Sequence, residues 1–363
     1  MIAANPNAEG VGTLFFPSGR YMVSGQGGRF AFELPSGIII QGTAGPYSGD
    51  GTSNCQIVLT ESICSIFRIG TQRHKIIIRD LGLTTSPDSV EGNIAIEAMA
   101  TEDLGTTNSN DIEFSNLTIW SFERGISIEG SGEVFQWDIT GVRVNHCVIE
   151  ECRYCIYINS QNCDFMRIVD TRIGALPEGF GIYMERVGII TIDSILGAGR
   201  VNQQGTLSNT FIYITAAHAT VTIINCECEG FDYSVQVQPL NVGNLAWPIL
   251  MLNCTWGPKI LFSSQCDVTS IANRYLPDTV ECDPLVDVMF FSLGDIIIGL
   301  DRIPNPDYNF NLNGSTSRLV SRANRYRVDV GRPARFGGKA GMIAPLLTDT
   351  ALAISQFESG QPH

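Results

Sequence analysis

The feature that most constrains this chain is a template that recurs along it: apolar-x-apolar-x-polar-apolar-x-apolar, trailed by a further apolar-x-apolar pair. It is clearest over residues 112 to 128, IEFSNLTIWSFERGISI, where Ile112 and Phe114 lead to Asn116, then Leu117 and Ile119, with Ile126 and Ile128 following. The template returns at Ile76, Ile78, Asp80, Leu81, Leu83, at Val142, Val144, His146, Cys147, Ile149, and at Met166, Ile168, Asp170, Thr171, Ile173. It returns again at Ile190, Ile192, Ser194, Ile195, at Val221, Ile223, Asn225, Cys226, Cys228, and at Ile249, Met251, Asn253, Cys254, Trp256. The trailing pair accompanies it as Ile94/Ile96, Ile126/Ile128, Ile156/Ile158, Ile182/Met184, Ile212/Ile214, Val235/Val237 and Ile260/Phe262. Period-2 apolar alternation is the signature of strands. Seven units of three short strands are visible, and such self-similarity decides architecture before any single motif does.

A unit of about 23 to 36 residues has room for three strands and three turns, and stacking the units sets equivalent residues about 4.8 Å apart. The inward positions then form apolar columns. The polar slot, Asp80, Asn116, His146, Asp170, Ser194, Asn225, Asn253, becomes a stacked ladder at one corner. Asparagine suits such a corner because its amide donates and accepts along the stack while its backbone tolerates a left-handed turn. Asp80, His146 and Asp170 are therefore read as corner residues, not catalysts.

A solenoid escapes the usual size limit on a single core because each coil contacts only its neighbours, so the 363 residues need only one elongated domain. The formal charge of -14 argues against nucleic acid or an anionic membrane as partner. No stretch of 18 apolar residues is present to span a membrane. The opening MIAANPNAEG lacks the basic and apolar regions of a signal peptide, so either the chain stays where it is made or it begins after a removed segment.

The eleven cysteines cannot all pair with one another. Cys147, Cys226, Cys228 and Cys254 fall on inward template positions, where a thiol acts as a small apolar filler. Cys152-x-x-Cys155 has spacing that also suits a metal or redox site, but packing is the better reading, and neither metal nor cofactor is expected.

Residues 12 to 43 are short β runs punctuated by Pro-Ser-Gly turns. GTLFFPSGRY from residue 12 and LPSGIIIQG from residue 34 resemble the opening of pectate-lyase-superfamily proteins, including many phage tailspikes. The resemblance implies an all-β fold, a right-handed single-stranded parallel β-helix with three sheets, and the repeats extend it to about residue 275. It departs in one respect: an acidic capping helix usually precedes the Gly-Thr strand, and only a dozen residues stand there. An uncovered end strand invites aggregation, so a missing segment or a partner subunit is expected over it. The solenoid is assigned to residues 1–275. Residues 276–363 are read as an irregular β and loop extension packing on it or capping it, in which Ala272-Asn-Arg-Tyr275 recurs as Ala323-Asn-Arg-Tyr326.

Insertions at 44 to 56, 98 to 110, 129 to 137, 174 to 180, 197 to 210 and 239 to 248 interrupt the coils. In a solenoid they project from one edge and build the walls of a groove. Outward residues can be read from alternation. On the third sheet one outward column reads Ala95, Ser127, Tyr157, Tyr183, Tyr213, Gln236, Leu261. Tyr157, Tyr183 and Tyr213 there can stack against sugar rings or against each other. The next column reads Glu97, Glu129, Asn159, Glu185, Thr215, Gln238, Ser263. Glu129 and Glu185, about two strand spacings apart, have a separation suited to the acid and base of an inverting glycosidase, while Glu97, about one spacing from Glu129, is close enough for like-charge coupling to raise one pKa; Glu129 with Glu185, or Glu97, is the best acid and base constellation available. On the first sheet the outward column is Ile77, Glu113, Arg143, Arg167, Thr191, Thr222. Arg143 and Arg167 can bind the carboxylate of a uronic acid beside a β-elimination base, or form a surface ion-pair ladder with Glu113.

The paired aspartates, Gly-His-Gly and Arg-x-Lys of polygalacturonases are absent, as is the Arg-x-x-Pro-x-x-Arg of pectate lyases. No nucleotide-binding glycine loop, triad signature or zinc-binding histidine pair occurs. Two functions stay open. One is a carbohydrate-active β-helix, glycoside hydrolase or polysaccharide lyase, whose partner is a polysaccharide bound along the third sheet. The other is a non-catalytic assembly or adhesion subunit, a homo-oligomer and a trimer if the tailspike likeness extends that far. Either role places the chain outside the cell or on a virion surface.

Overall fold

A computed structural model describes residues 12–43, 55–86, 91–100, 109–130, 139–160, 163–199, 209–215, 219–238, 246–257, 259–263, 266–275, 280–282, 288–299, 310–312, 318–322, 325–328 and 336–337, with no side chains beyond Asp295. All their strand pairings are parallel, each strand bonding to the equivalent strand of the next coil. In the first sheet, Ile39, Ile77, Glu113, Arg143, Arg167, Thr191, Thr222 and Leu250 follow one another in register. This is the outward column expected from the sequence. Two coils precede the first template match, beginning with Gly12–Phe16 and Ile38–Gly42. Parallel pairing also runs on past residue 275, through Val288–Leu293 and Arg318–Arg322 to Phe336–Gly337. Arg274, Ile296 and Arg325 are in register, as are Tyr275, Ile297 and Tyr326, so the Arg-Tyr pairs that end the two Ala-Asn-Arg-Tyr segments occupy equivalent places two coils apart.

The inward columns are the core. Ile76, Ile112, Val142, Met166, Ile190 and Val221 form one, and Ile78, Phe114, Val144, Ile168, Ile192 and Ile223 another, all fully buried. Ten cysteines lie buried among them, none in a disulfide. Burial pushes the Cys147 and Cys228 thiols up to about 12.

The polar slot is a corner, and its backbone explains why. Asp80, Asn116, His146, Asp170, Ser194, Asn225 and Asn253 have φ between 46° and 58°, all in the left-handed region. Asn116 donates to Asp80 at 2.7 Å, Asn253 to Asn225 at 2.8 Å and Asn225 to Asp193 at 3.1 Å. Several of these turns bring the next residue's N–H to a side-chain acceptor on the following coil. Cys147 N–H meets Thr171 Oγ1 (3.3 Å), Cys226 N–H meets Cys254 Sγ (3.4 Å), and Cys254 N–H meets Asn273 Oδ1 (2.7 Å). Asn273 N–H in turn meets Asp295 Oδ1 at 2.7 Å. Buried N–H groups must find acceptors, so this column mixes thiols, hydroxyls and carboxyls into an otherwise apolar interior.

The expected insertion at 174 to 180 is an outward bulge within the strand Arg172–Arg186: Ala175 pairs with Cys152 and Phe180 with Tyr154, leaving residues 176 to 179 over. Most of the other insertions, at 44–54, 101–108, 131–138, 200–208 and 239–245, lie outside the described residues.

Candidate carbohydrate site on the third sheet

The third sheet carries Glu33, Arg68, Glu97, Ser127, Tyr157, Tyr183, Tyr213, Gln236 and Leu261 in one register column. This corrects the expected place of Glu97. It pairs with Ser127, not Glu129, and Met99 is the residue opposite Glu129. Ile96 and Ala98, not Ile94 and Ile96, match Ile126 and Ile128. The strand Ile94–Ala100 alternates apolar residues for longer than its neighbours, so two registers satisfy the pattern and pairing selects the one that puts Ala98 inward. Glu185 is displaced too. It has no register partner because Met184 pairs with Ile158 and Arg186 with Asn159.

The strip gathers all three glutamates nonetheless. Glu97 is buried, 8% exposed, and accepts from Ser65 Oγ at 3.2 Å. Burial raises its carboxyl above the usual range, against the opposing pull of Arg68 and the Ser65 hydrogen bond and with a push from Glu129. Glu129 accepts from Ser127 Oγ at 2.7 Å and forms an ion pair with Arg124. Arg124 also lies 3.9 Å from the centroid of the Tyr157 ring, a cation–π contact. Tyr157 donates its hydroxyl to Glu185. Glu129, Arg124, Tyr157 and Glu185 are thus one connected network.

Arg124 is held by a local feature. Gly125 follows it, and a Cβ there would stand 2.6 Å from the Cys155 carbonyl oxygen. Glycine lets the coils close while Arg124 lies on the outer face.

The three tyrosines stack on one another. Tyr157 and Tyr183 are 5.4 Å apart at 7°, Tyr183 and Tyr213 5.0 Å apart at 8°. A second stack, Tyr154 and Phe180 at 5.4 Å and 13°, packs edge-on against the first. The faces between rungs are occupied, and Arg124 lies over Tyr157, so the strip presents ring edges and hydroxyls outward. Burial, with Glu185 adding to it, raises the Tyr157 phenol strongly and the Tyr183 phenol to about 12. Burial likewise raises Tyr213, whose hydroxyl donates to Gln238 Oε1 at 3.0 Å. Arg124, on the outward edge that the sequence marks beside Ser127 and Glu129, stands two residues before an apolar pair; Tyr154 and Phe180 are absent from the sequence-level candidates, yet each holds the same place before its own pair, so extending the template backwards finds them.

Arg143 and Arg167 belong elsewhere. They are neighbours in register on the first sheet, exposed, and neither forms an ion pair with a described residue, Glu113 included. They do not share a face with the glutamates and tyrosines. Among the described residues no group of three or more His, Cys, Asp or Glu is arranged to hold a metal ion.

Neither a protein-family model nor a curated protein matches the sequence. Solved structures match it by shape. DFA-IIIase from Arthrobacter chlorophenolicus A6 in complex with GF2 superposes with a TM-score of 0.53 at 11% identity, covering 86% of this chain and 82% of its own. Another crystal structure of that enzyme gives 0.51 at 11%, covering 88% and 85%. The A-module of the Azotobacter vinelandii mannuronan C-5 epimerase AlgE4 gives 0.50 at 11%, covering 92% and 89%. The likeness is one of fold: the chain is a right-handed parallel β-helix.

Proposed function

We propose that this protein binds and hydrolyses a polysaccharide along the outer face of the third sheet. One observation carries the reading: a burial-raised carboxyl, Glu97, stands one coil from Glu129, which is fixed by Arg124 and Ser127, on an aromatic strip. Glycoside hydrolysis needs such a division, one carboxyl kept protonated as acid and another acting as base. From Glu97 one coil across to Ser127 and two residues along to Glu129, the backbone separation is about 8 Å. That suits inversion, in which a water sits between the two groups. Glu185 holds the Tyr157 hydroxyl, and Tyr183 and Tyr213 offer edges and hydroxyls to sugar rings. The phenols oppose the lyase reading, because a tyrosine base needs a lowered pKa and theirs are raised. The solved structures of like fold bear names of carbohydrate-acting proteins, which agrees with a glycan substrate.

A panel of polysaccharides, read for new reducing ends and for the ultraviolet absorbance of unsaturated uronates, tests this directly. Reducing ends without that absorbance are expected, with Glu97→Gln and Glu129→Gln each lowering kcat by about 10² to 10⁴. Unsaturated products, or wild-type rates in both variants, would sink the reading.

A second reading draws on the other end of the solenoid. The strands Gly12–Phe16, Gly19–Val23 and Phe30–Leu34 each pair on one side only among the described residues, and Phe15 and Met22 are 51% and 59% exposed. An assembly subunit of a virion or extracellular fibre would bury this end. Light scattering decides it, a monomer at all concentrations counting against.

A further inference from the structure

The outer face of the first sheet holds a group of side chains that the third-sheet site does not use. Arg143 and Arg167 project from neighbouring coils about 4.8 Å apart. Both are exposed, and no carboxylate forms an ion pair with either among the described residues, although Glu113 stands one coil from Arg143 in the same column. Beside them stands Phe165, 68% exposed, separated from Arg167 only by the inward Met166. Ile189, 39% exposed, occupies the equivalent place on the next coil, since Met166 pairs with Ile190.

Phe165 is unusual twice over. Its φ is 57°, a conformation that costs an L-residue about 1–2 kcal/mol, and it spends that cost on exposing an aromatic ring to water. Its turn is nonetheless pinned on both sides. Gly141 N–H donates to the Asp164 carbonyl at 3.0 Å, Ile189 N–H to Asp164 Oδ1 at 3.1 Å, and Met166 N–H to the Ile189 carbonyl at 3.1 Å. Gly188 makes room for this: a Cβ there would meet Asp164 Oδ1 at 2.1 Å. Strain that the surroundings enforce in this way points to function.

We propose that Arg143, Arg167 and Phe165 form a second glycan site, which takes a carboxylate-bearing polysaccharide and is separate from the third-sheet strip. A guanidinium binds a carboxylate through two parallel hydrogen bonds. Two of them one coil apart match charges carried on a polymer of sugar rings, and the phenyl ring offers an apolar surface to a ring face. On a chain of net charge -14 this local positive pair is what an acidic polymer can approach. The site does not depend on the hydrolytic reading, and it anchors the protein to an acidic matrix whatever the third sheet cleaves.

Affinity electrophoresis of the full chain through gels containing polygalacturonate, with dextran as the neutral control, tests the proposal. Retardation by polygalacturonate alone is expected, weakening as salt rises. The Arg143→Ala/Arg167→Ala variant should raise the Kd at least tenfold while its thermal midpoint stays unchanged. Phe165→Gly should also weaken binding yet leave stability equal or higher, which a packing residue would not do. Glu129→Gln should keep full retardation. The proposal is overturned if the wild type is not retarded, if the arginine variant binds as well as wild type, or if Glu129→Gln abolishes binding. A dimer in light scattering that the arginine substitutions dissociate would also overturn it, because a second copy would then cover the face.

Discussion

At the scale of single residues, the polar slot shows how a strand pattern can be interrupted without being broken. Asn225 has φ 52°, donates to Asp193 at 3.1 Å and accepts from Asn253 at 2.8 Å. Its side chain is exposed, so each hydrogen bond adds little, and the backbone conformation matters more. Asn225→Val should therefore cost about 2–3 kcal/mol and Asn225→Gly less than about 1 kcal/mol, because glycine adopts this conformation freely. Urea unfolding midpoints of the two variants check the order, and an equal loss in both would assign the effect to the hydrogen bonds. The corner was legible in the sequence because an asparagine, aspartate or histidine replaced an apolar residue at a fixed phase. The acceptors for the N–H groups that follow it were not. Thr171, Cys254, Asn273 and Asp295 look like imperfect apolar positions until the neighbouring coil is in place.

At the scale of the strand and sheet, register decides what the outer face presents. The columns of the first sheet were readable because Glu113, Arg143 and Arg167 each sit between two large apolar residues, so a slip would expose the core. Glu97 lies in a strand where Ile94, Ile96 and Ala98 alternate, and alternation alone does not distinguish a shift of two. The tyrosines were legible as a column, but their mutual stacking depends on side-chain packing that no pattern records. That packing separates two variants which differ only by a hydroxyl. Tyr157→Phe keeps the ring but leaves Glu185 without the Tyr157 hydroxyl, a loss of about 1.5–3 kcal/mol for a hydrogen bond to a charged group. Tyr183→Phe removes a hydroxyl with no partner among the described residues and should stay within about 0.5 kcal/mol of wild type. Tyr183→Ala, which removes the ring touching Tyr157, Tyr213, Tyr154 and Phe180, should cost about 3 kcal/mol or more. Thermal and chemical denaturation of the three variants rank them, and a Tyr183→Phe loss as large as that of Tyr157→Phe would mean the ladder, not the Glu185 contact, sets stability.

At the scale of the whole molecule, the solenoid carries two buried carboxyls, Asp295 and Glu97, far apart in the chain, and they act in the same direction. Asp295, fully buried, accepts from Ser270 Oγ and Asn273 N–H at 2.6 and 2.7 Å, and burial still raises its carboxyl. Burial raises Glu97 as well. A carboxyl raised in the folded state binds its proton more tightly there than in the unfolded chain. Its stabilising contribution is complete below the unfolded value, about pH 4, and is lost as pH rises through the folded value. The overall charge of -14 acts in the same sense, since self-repulsion among carboxylates grows as they ionise. The thermal midpoint should therefore rise as pH is lowered from 7 toward 5. Glu97→Gln should flatten that rise by on the order of 1–2 °C, the scale of about one kcal/mol in a chain of this length. Salt separates the two causes: it screens the surface repulsion and leaves the buried carboxyls almost untouched, so the part of the slope that survives high salt is theirs. A midpoint that instead falls between pH 7 and 5, in wild type and Glu97→Gln alike, would show that other groups govern the pH dependence of this fold.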